Sequence, residues 1–232
     1  MSNAIAPSKA LLCFHGTGSK AHIFNVQMAR ICFLLKNEFQ FIFVDGPYEC
    51  STAGPGVLPM FSGNEPYYSW FGRESKSIDD SLQRINQSVR EAVTQWEAEK
   101  SNVDAEIIGA IGFSEGALAV AFLLWQQQQG VLPWLPELRF AVMSCCFFPN
   151  EASLWLNNNA RTYGLNKAEI QVPTLHIHGN KDFSLARARR LVKNHYQAGA
   201  SVIFECEAGH HLPKRKDEVE TIVRHISEMS KC

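Results

Sequence analysis

Residues 105–129 constrain the fold more than any other stretch of this chain. They run from an apolar segment, 107–111, through Gly112-Phe113-Ser114-Glu115-Gly116 into a segment rich in Ala and Leu that ends in Gln. The expected elements are a strand, a tight turn and a helix. A G-x-S-x-G in that setting lifts a serine hydroxyl above the end of a sheet. The Glu115 N–H then points from the first helical turn toward the place where an oxyanion can be held. The plainer alternative is a Gly-rich turn with a spectator serine.

The rest of the chain repeats the alternation of strand and helix. The apolar run 10–14 reads as a strand buried on both faces of a parallel sheet. His15-Gly16-Thr17-Gly18-Ser19 follows it, and a Gly-rich loop at that end of a strand is where such folds place their sites. The Thr17 N–H is expected to be a second oxyanion donor. A phosphate loop is excluded because no Gly-Lys-Ser/Thr closes the motif. Apolar residues at helical spacing mark a helix over 21–36, and 39–44 is the next strand. Ser77 with Asp80 three residues on resembles a helix cap. Ile78, Leu82, Ile85, Val89, Val93 and Trp96 then trace one face of a long helix. Further strands are expected at 139–146, 174–178 and 201–205, with helices over 185–196 and 217–230. His176 and His178 are read as strand residues facing opposite sides.

Two segments break the pattern. Residues 48–75 are rich in Gly, Pro and aromatics, with neither helical nor strand periodicity. Loops this long are usually functional or disordered, and the aromatics argue against disorder. A lid or pocket wall is expected, with Tyr67, Tyr68 and Trp70 as substrate contacts; a packed loop is the alternative. Phe147, beyond the strand at 139–146, is a further pocket candidate. Residues 150–171 are polar and Asn-rich, and are expected to be an insertion or cap.

Three polar residues lie beyond three strand ends, in the order Ser114, Asp182, His210. This is the order of the α/β-hydrolases. A neutral imidazole activates the serine hydroxyl, and a carboxylate fixes the tautomer and steadies the imidazolium that forms. Asp45 precedes the serine and breaks the order, while Asp104 precedes its strand. His210 is preferred over His211 because it directly follows Gly209. No third ligand accompanies His176 and His178, so no metal site is expected.

Bulk properties narrow the class. The 232 residues suit one α/β domain spanning 1–232, and 46% hydrophobic residues give it a sizeable core. A net charge of −1 offers no basic excess for nucleic acid or a polybasic membrane contact. No apolar run is long enough for a membrane span, and residues 1–9 lack a signal-peptide core. Seven cysteines without a C-x-x-C point to reduced thiols in a cytoplasmic protein.

Several motifs together resemble the FSH family of serine hydrolases within the α/β-hydrolases. They are His15-Gly16-Thr17-Gly18, Asp45-Gly46-Pro47, Gly54-Pro55-Gly56, the Ser114 pentapeptide, His178-Gly179 with Asp182, and Gly209-His210-His211-Leu212-Pro213. Within the family, Pro66-Tyr67-Tyr68-Ser69-Trp70-Phe71 and the segments 123–128 and 132–136 are most similar to fungal polyketide thioesterases. The resemblance implies Ser114 as nucleophile, Asp182 as acid, His210 as base, and backbone donors at Thr17 and Glu115. It also implies a thioesterase acting in trans, releasing an acyl chain from the acyl-carrier domain of a polyketide synthase without a cofactor. Many members carry Gln where this chain has Glu115. A carboxylesterase, a silent binding protein of the same fold and an editing hydrolase are the alternatives. Arg187, Arg189, Arg190 and Lys193, or residues 214–216, are candidates for docking an acidic carrier.

Overall fold

Six parallel strands form the central sheet of the computed structural model, which describes residues 7–72, 77–99 and 105–231. They are β1 (Lys9–Phe14), β2 (Phe39–Val44), β5 (Glu106–Phe113), β6 (Phe140–Ser144), β7 (Thr174–Gly179) and β8 (Ser201–Cys206), in the order β2-β1-β5-β6-β7-β8. β3 (Tyr48–Cys50) and β4 (Tyr67–Ser69) pair antiparallel as a separate hairpin. Asp104, residues 1–6 and 73–75, and Cys232 carried expectations and lie outside the described residues.

The sheet is covered on both faces. α1 (Ala21–Gln27), α2 (Ala29–Leu35) and α7 (Lys216–Met229) share one core with Leu11, Cys13, Ile111 and Ile177. α3 (Ile78–Glu99), α4 (Glu115–Gln128), α5 (Asn150–Thr162) and α6 (Leu185–His195) share the other with Leu12, Phe14 and Met143. β1 feeds both cores because successive side chains leave a strand on opposite faces. α4 lies entirely inside, with every residue from Gly116 to Trp125 buried, so its apolar content cannot show a stripe. Among the described residues no helix is long and apolar enough to cross a membrane.

Several local expectations change. The helix read over 21–36 is two short helices broken at Met28, whose φ of −86° and ψ of 0° leave the helical region. Ser77 caps α3 as expected, its hydroxyl accepting the Asp80 N–H at 3.1 Å. Residues 150–171 are no cap: they contain α5, the crossover helix from β6 to β7. Its Ala152, Leu156 and Ala160 join the α4 core, and Trp125 Nε1–H donates to Asn159 Oδ1 at 2.7 Å. His176 and His178 do not face opposite sides. A period of two puts them on one face, with ring centroids 6.2 Å apart.

The chain order sets where a site can form. β1 leads back to the edge strand β2, whereas β5 starts the run toward β8, so connections leave β1 and β5 in opposite directions. Ligands of open α/β sheets bind in the crevice beyond such a switch point. Here it is flanked by Thr17 after β1 and Ser114 after β5. The segment 48–72 closes over it. Val57, Phe61 and Tyr67 form a small core with Ile23, Ser19 bridges Tyr68, and the Gly54 N–H donates to Gly18 O at 2.8 Å. It is a packed wall.

Candidate active site

The turn after β5 is forced by close contacts. A Cβ on Gly116 would lie 2.3 Å from His15 O and 2.4 Å from Phe14 O, and one on Gly112 would lie 2.5 Å from the Ala117 Cα. Only glycines let α4 start this close to β1 and β5. Ser114 sits between them at φ 54° and ψ −116°, a backbone state that costs an ordinary residue about 1–3 kcal/mol. Neighbouring strands hold it there. The Ser114 N–H donates to Ser144 O at 2.9 Å, and the Phe147 N–H donates to Ser114 O at 3.2 Å.

The loop after β8 brings His210 to the serine, with Nε2 2.8 Å from Ser114 Oγ. On the other side of the ring, Nδ1 is 2.9 Å from Asp182 Oδ1. Asp182, beyond β7, also accepts the Ser184 N–H at 2.7 Å and the Ser184 hydroxyl at 2.9 Å. Burial works to raise its pKa. Hydrogen bonds from His210, the Ser184 N–H and the Cys145 thiol outweigh burial and hold it at about 2. Asp182 is therefore a carboxylate at neutral pH, which fixes the proton on Nδ1 and leaves the Nε2 lone pair facing the serine. His211 turns away, with Nδ1 2.8 Å from Leu212 O. Asp45 is occupied elsewhere, accepting the Ala21 N–H at the start of α1 at 2.6 Å.

The amides expected to hold an oxyanion are those of Thr17 and Glu115. Among the described residues neither N–H donates to a protein acceptor. The loop carrying Thr17 is latched at its root by His15. His15 Nδ1–H donates to Gly16 O at 2.7 Å, and Nε2 accepts the Gly46 N–H at 3.0 Å. Burial pushes the His15 pKa down to about 4, and the Gly16 carbonyl and Asp45 only partly offset this. The ring stays neutral and keeps both bonds.

The aromatic expectations divide. Tyr67 and Trp70 are fully buried and present no surface to a substrate. Tyr67 fills the small core and donates its hydroxyl to Phe61 O at 2.9 Å. Trp70 packs on Phe14 and donates its ring N–H to His15 O at 2.7 Å. Tyr68 and Phe147 are half-buried, and Phe147 lies under the Arg187 guanidinium at 4.5 Å. Phe183, not anticipated from sequence, is 67% exposed and packs on the His210 ring at 4.4 Å. Its position beside Asp182 was the available signal.

The family model for FSH1 serine hydrolases matches residues 1–222. The chain belongs to this family. It is 38% identical over 231 residues to esterase mlcF of Penicillium citrinum, covering 96% of this chain and 90% of that one. It is 35% identical over 238 residues to the dihydromonacolin L-[lovastatin nonaketide synthase] thioesterase of Aspergillus terreus, covering 95% and 92%. The acyl-protein thioesterase 2 of Zea mays shares the fold at a TM-score of 0.56 and 15% identity, covering 97% of this chain and 95% of that one. This FSH1 chain is thus a serine hydrolase of α/β-hydrolase fold.

Two residues of this FSH1 site were missed from sequence. Ser184 completes the shell of Asp182. Cys145, held at φ 48°, keeps a neutral S–H because burial and the Asp182 carboxylate push its pKa up. Cys145, Asp182 and His210 are the one group among the described residues whose ligand atoms, all within 4.8 Å, could share a metal ion. The Asp182–His210 hydrogen bond already occupies two of them.

Proposed function

We propose that this hydrolase releases a polyketide acyl chain from the acyl-carrier domain of a polyketide synthase by hydrolysing its thioester. The observation that carries the chemistry is the continuous chain Ser114–His210–Asp182 beside two unpaired amides. Kinship with the thioesterase of Aspergillus terreus supports the substrate class. The six described cysteines are all free thiols, which suits the cytoplasm.

In the first step His210 Nε2 takes the Ser114 proton as Oγ bonds to the thioester carbon. The carbonyl electrons move onto oxygen, which the Thr17 and Glu115 N–H groups hold. As the carbonyl re-forms, the C–S bond breaks and the thiolate takes the proton from the imidazolium. Water then attacks the acyl-serine carbon with His210 as base; the C–Oγ bond breaks, Ser114 Oγ takes the proton back from the imidazolium, and the acid leaves. Asp182 remains ionised throughout and offsets the transient charge on His210. Phe183, exposed on the His210 ring, and half-buried Phe147 are the apolar surfaces offered to an acyl chain. Of the basic row considered for carrier docking, Arg189 pairs with Glu205 at 2.6 Å and Arg190 donates to Phe148 O at 3.1 Å. Arg187, stacked on Phe147, and the exposed Lys193 are the members offered to an acidic partner.

The test presents one acyl chain as a carrier-protein thioester and as a small oxyester. Much higher kcat/KM on the carrier thioester, abolished by Ser114→Ala, is the expected result. Preference for the oxyester would replace this reading with a carboxylesterase.

A further inference from the structure

Glu115 follows the nucleophile, and its backbone N–H is the donor invoked above. Its side chain has a separate set of contacts. The carboxylate turns back across the switch point toward the wall, where Oε2 accepts the Trp70 N–H at 2.9 Å. The Thr17 hydroxyl and the Phe71 N–H also favour its charged form. Thr17 Oγ1 lies 2.7 Å from Ser69 Oγ in the wall, and the two hydroxyls share a hydrogen bond.

The loop carrying Thr17 is stitched to the wall along its length. Trp70 Nε1–H donates to His15 O at 2.7 Å. The Tyr68 N–H donates to Ser19 O at 2.7 Å, and the Ser19 N–H donates to Tyr68 O at 3.3 Å. The position of the Thr17 amide relative to Ser114 therefore depends on where the wall sits, and Glu115 ties the wall to the nucleophile's own turn. Without that tie, the wall would be held against the nucleophile's turn and helix by apolar ring contacts, Trp70 on Phe14 and Phe71 on Phe122, which fix position less sharply than a hydrogen bond. A donor acts on an oxyanion only within about 0.5 Å of its productive place.

We propose that the Glu115 side chain is a positioning residue that sets the second oxyanion donor, the Thr17 N–H, through Trp70 and Ser69. The proposal rests on the hydrolytic reading above, but not on the choice between thioester and oxyester. Glu115 touches no substrate in this role, and any residue able to accept the Trp70 N–H from the same position should serve.

The test uses the full chain and a p-nitrophenyl acyl ester, which either hydrolytic reading accepts. Glu115→Ala should lower kcat about 10- to 100-fold, below the loss expected for removing a donor outright, and leave KM within about twofold. A trifluoromethyl ketone, which forms a tetrahedral adduct on the serine, should lose affinity by the same factor. Glu115→Gln, which retains an acceptor oxygen, should stay within about threefold of wild type in both. Wild-type kcat in Glu115→Ala would overturn the proposal. So would a fall in kcat with ketone affinity unchanged, or a Gln variant as damaged as Ala. If Glu115→Ala does not fold, Ser69→Ala breaks the next link without touching α4; kcat and ketone affinity must then fall together, or the proposal fails. A wild-type protein inert on oxyester and thioester alike would sink the hydrolytic reading itself.

Discussion

The turn at Ser114 and the wall at 48–72 serve the same site but are built differently. The turn lies between two central parallel strands, and its geometry is dictated by backbone atoms of β1, β5 and β6 within hydrogen-bond or contact distance. The wall lies off the sheet. It has its own small core with Ile23, polar links to the 15–19 loop and Glu115, and two rings, Trp70 and Phe71, set into the main core on Phe14 and Phe122. The turn has almost no freedom, because close-packed backbone cannot yield. The wall is a unit placed by a few polar links and by the Trp70 and Phe71 rings in the main core. The Ser114 turn is thus rigid, while the loop carrying Thr17 is placed in part by a separate element.

Breaking the turn should have the largest effects. Ser114→Ala removes the nucleophile, and kcat should fall by about 10⁴-fold or more, with an unchanged melting temperature by calorimetry. Gly116→Ala tests rigidity rather than chemistry. Its new Cβ meets two carbonyl oxygens that cannot move aside, so about 3 kcal/mol of stability should be lost, read as a drop of roughly 6–12 °C in Tm. A Tm within 2 °C of wild type would show that the turn yields as readily as the wall.

The link between turn and wall has its own pH signature. Burial raises the Glu115 pKa from 4.5 to about 7, against the hydrogen bond from Trp70 and the influence of Thr17 and Phe71. A folded pKa above the unfolded one means this group's stabilising contribution is complete below about pH 4.5 and is lost as pH rises through 7. Glu115→Gln removes the ionisation. Relative to wild type, it should gain roughly 2–3 kcal/mol in urea unfolding between pH 4.5 and pH 8. A constant difference across that range would mean the carboxylate is not buried at the link.

The smallest effect should come from inside the wall. Tyr67→Phe removes the buried bond to Phe61 O and should cost about 1 kcal/mol. KM for any acyl substrate should not change, because the Tyr67 ring has no exposed face. A KM rise of several fold would return Tyr67 to the substrate pocket.

These contrasts explain what could be read from sequence. The elbow was legible because strand, glycine turn and helix follow one another within 25 residues, and each is a local preference. Asp182 and His210 were legible by order along the chain. His210 is preferred over His211 because it directly follows Gly209, and the loop turns its ring, not that of His211, to Ser114. The aromatics of 67–71 gave no direction, because a ring in a loop serves equally in a core or a pocket; Tyr67 and Trp70 went inward and Phe183 outward. The polar, Asn-rich 150–171 hid a helix because its buried face holds only Ala152, Leu156 and Ala160.

The sequence by itself determined the alternating layers, the glycine-flanked serine turn, and the order of Ser114, Asp182 and His210 beyond three strand ends. Each of those follows from short-range pattern: the period of apolar residues, the absence of a side chain at two glycines, the order of three polar residues beyond strand ends. Only the tertiary structure decided where the Glu115 carboxylate points and which aromatics are core. It also decided which residues, Ser184 and Cys145 among them, complete the shell around Asp182. Those are matters of contact between segments tens of residues apart. Such contacts depend on how the wall and the strand-end loops settle over the sheet, which no local preference records.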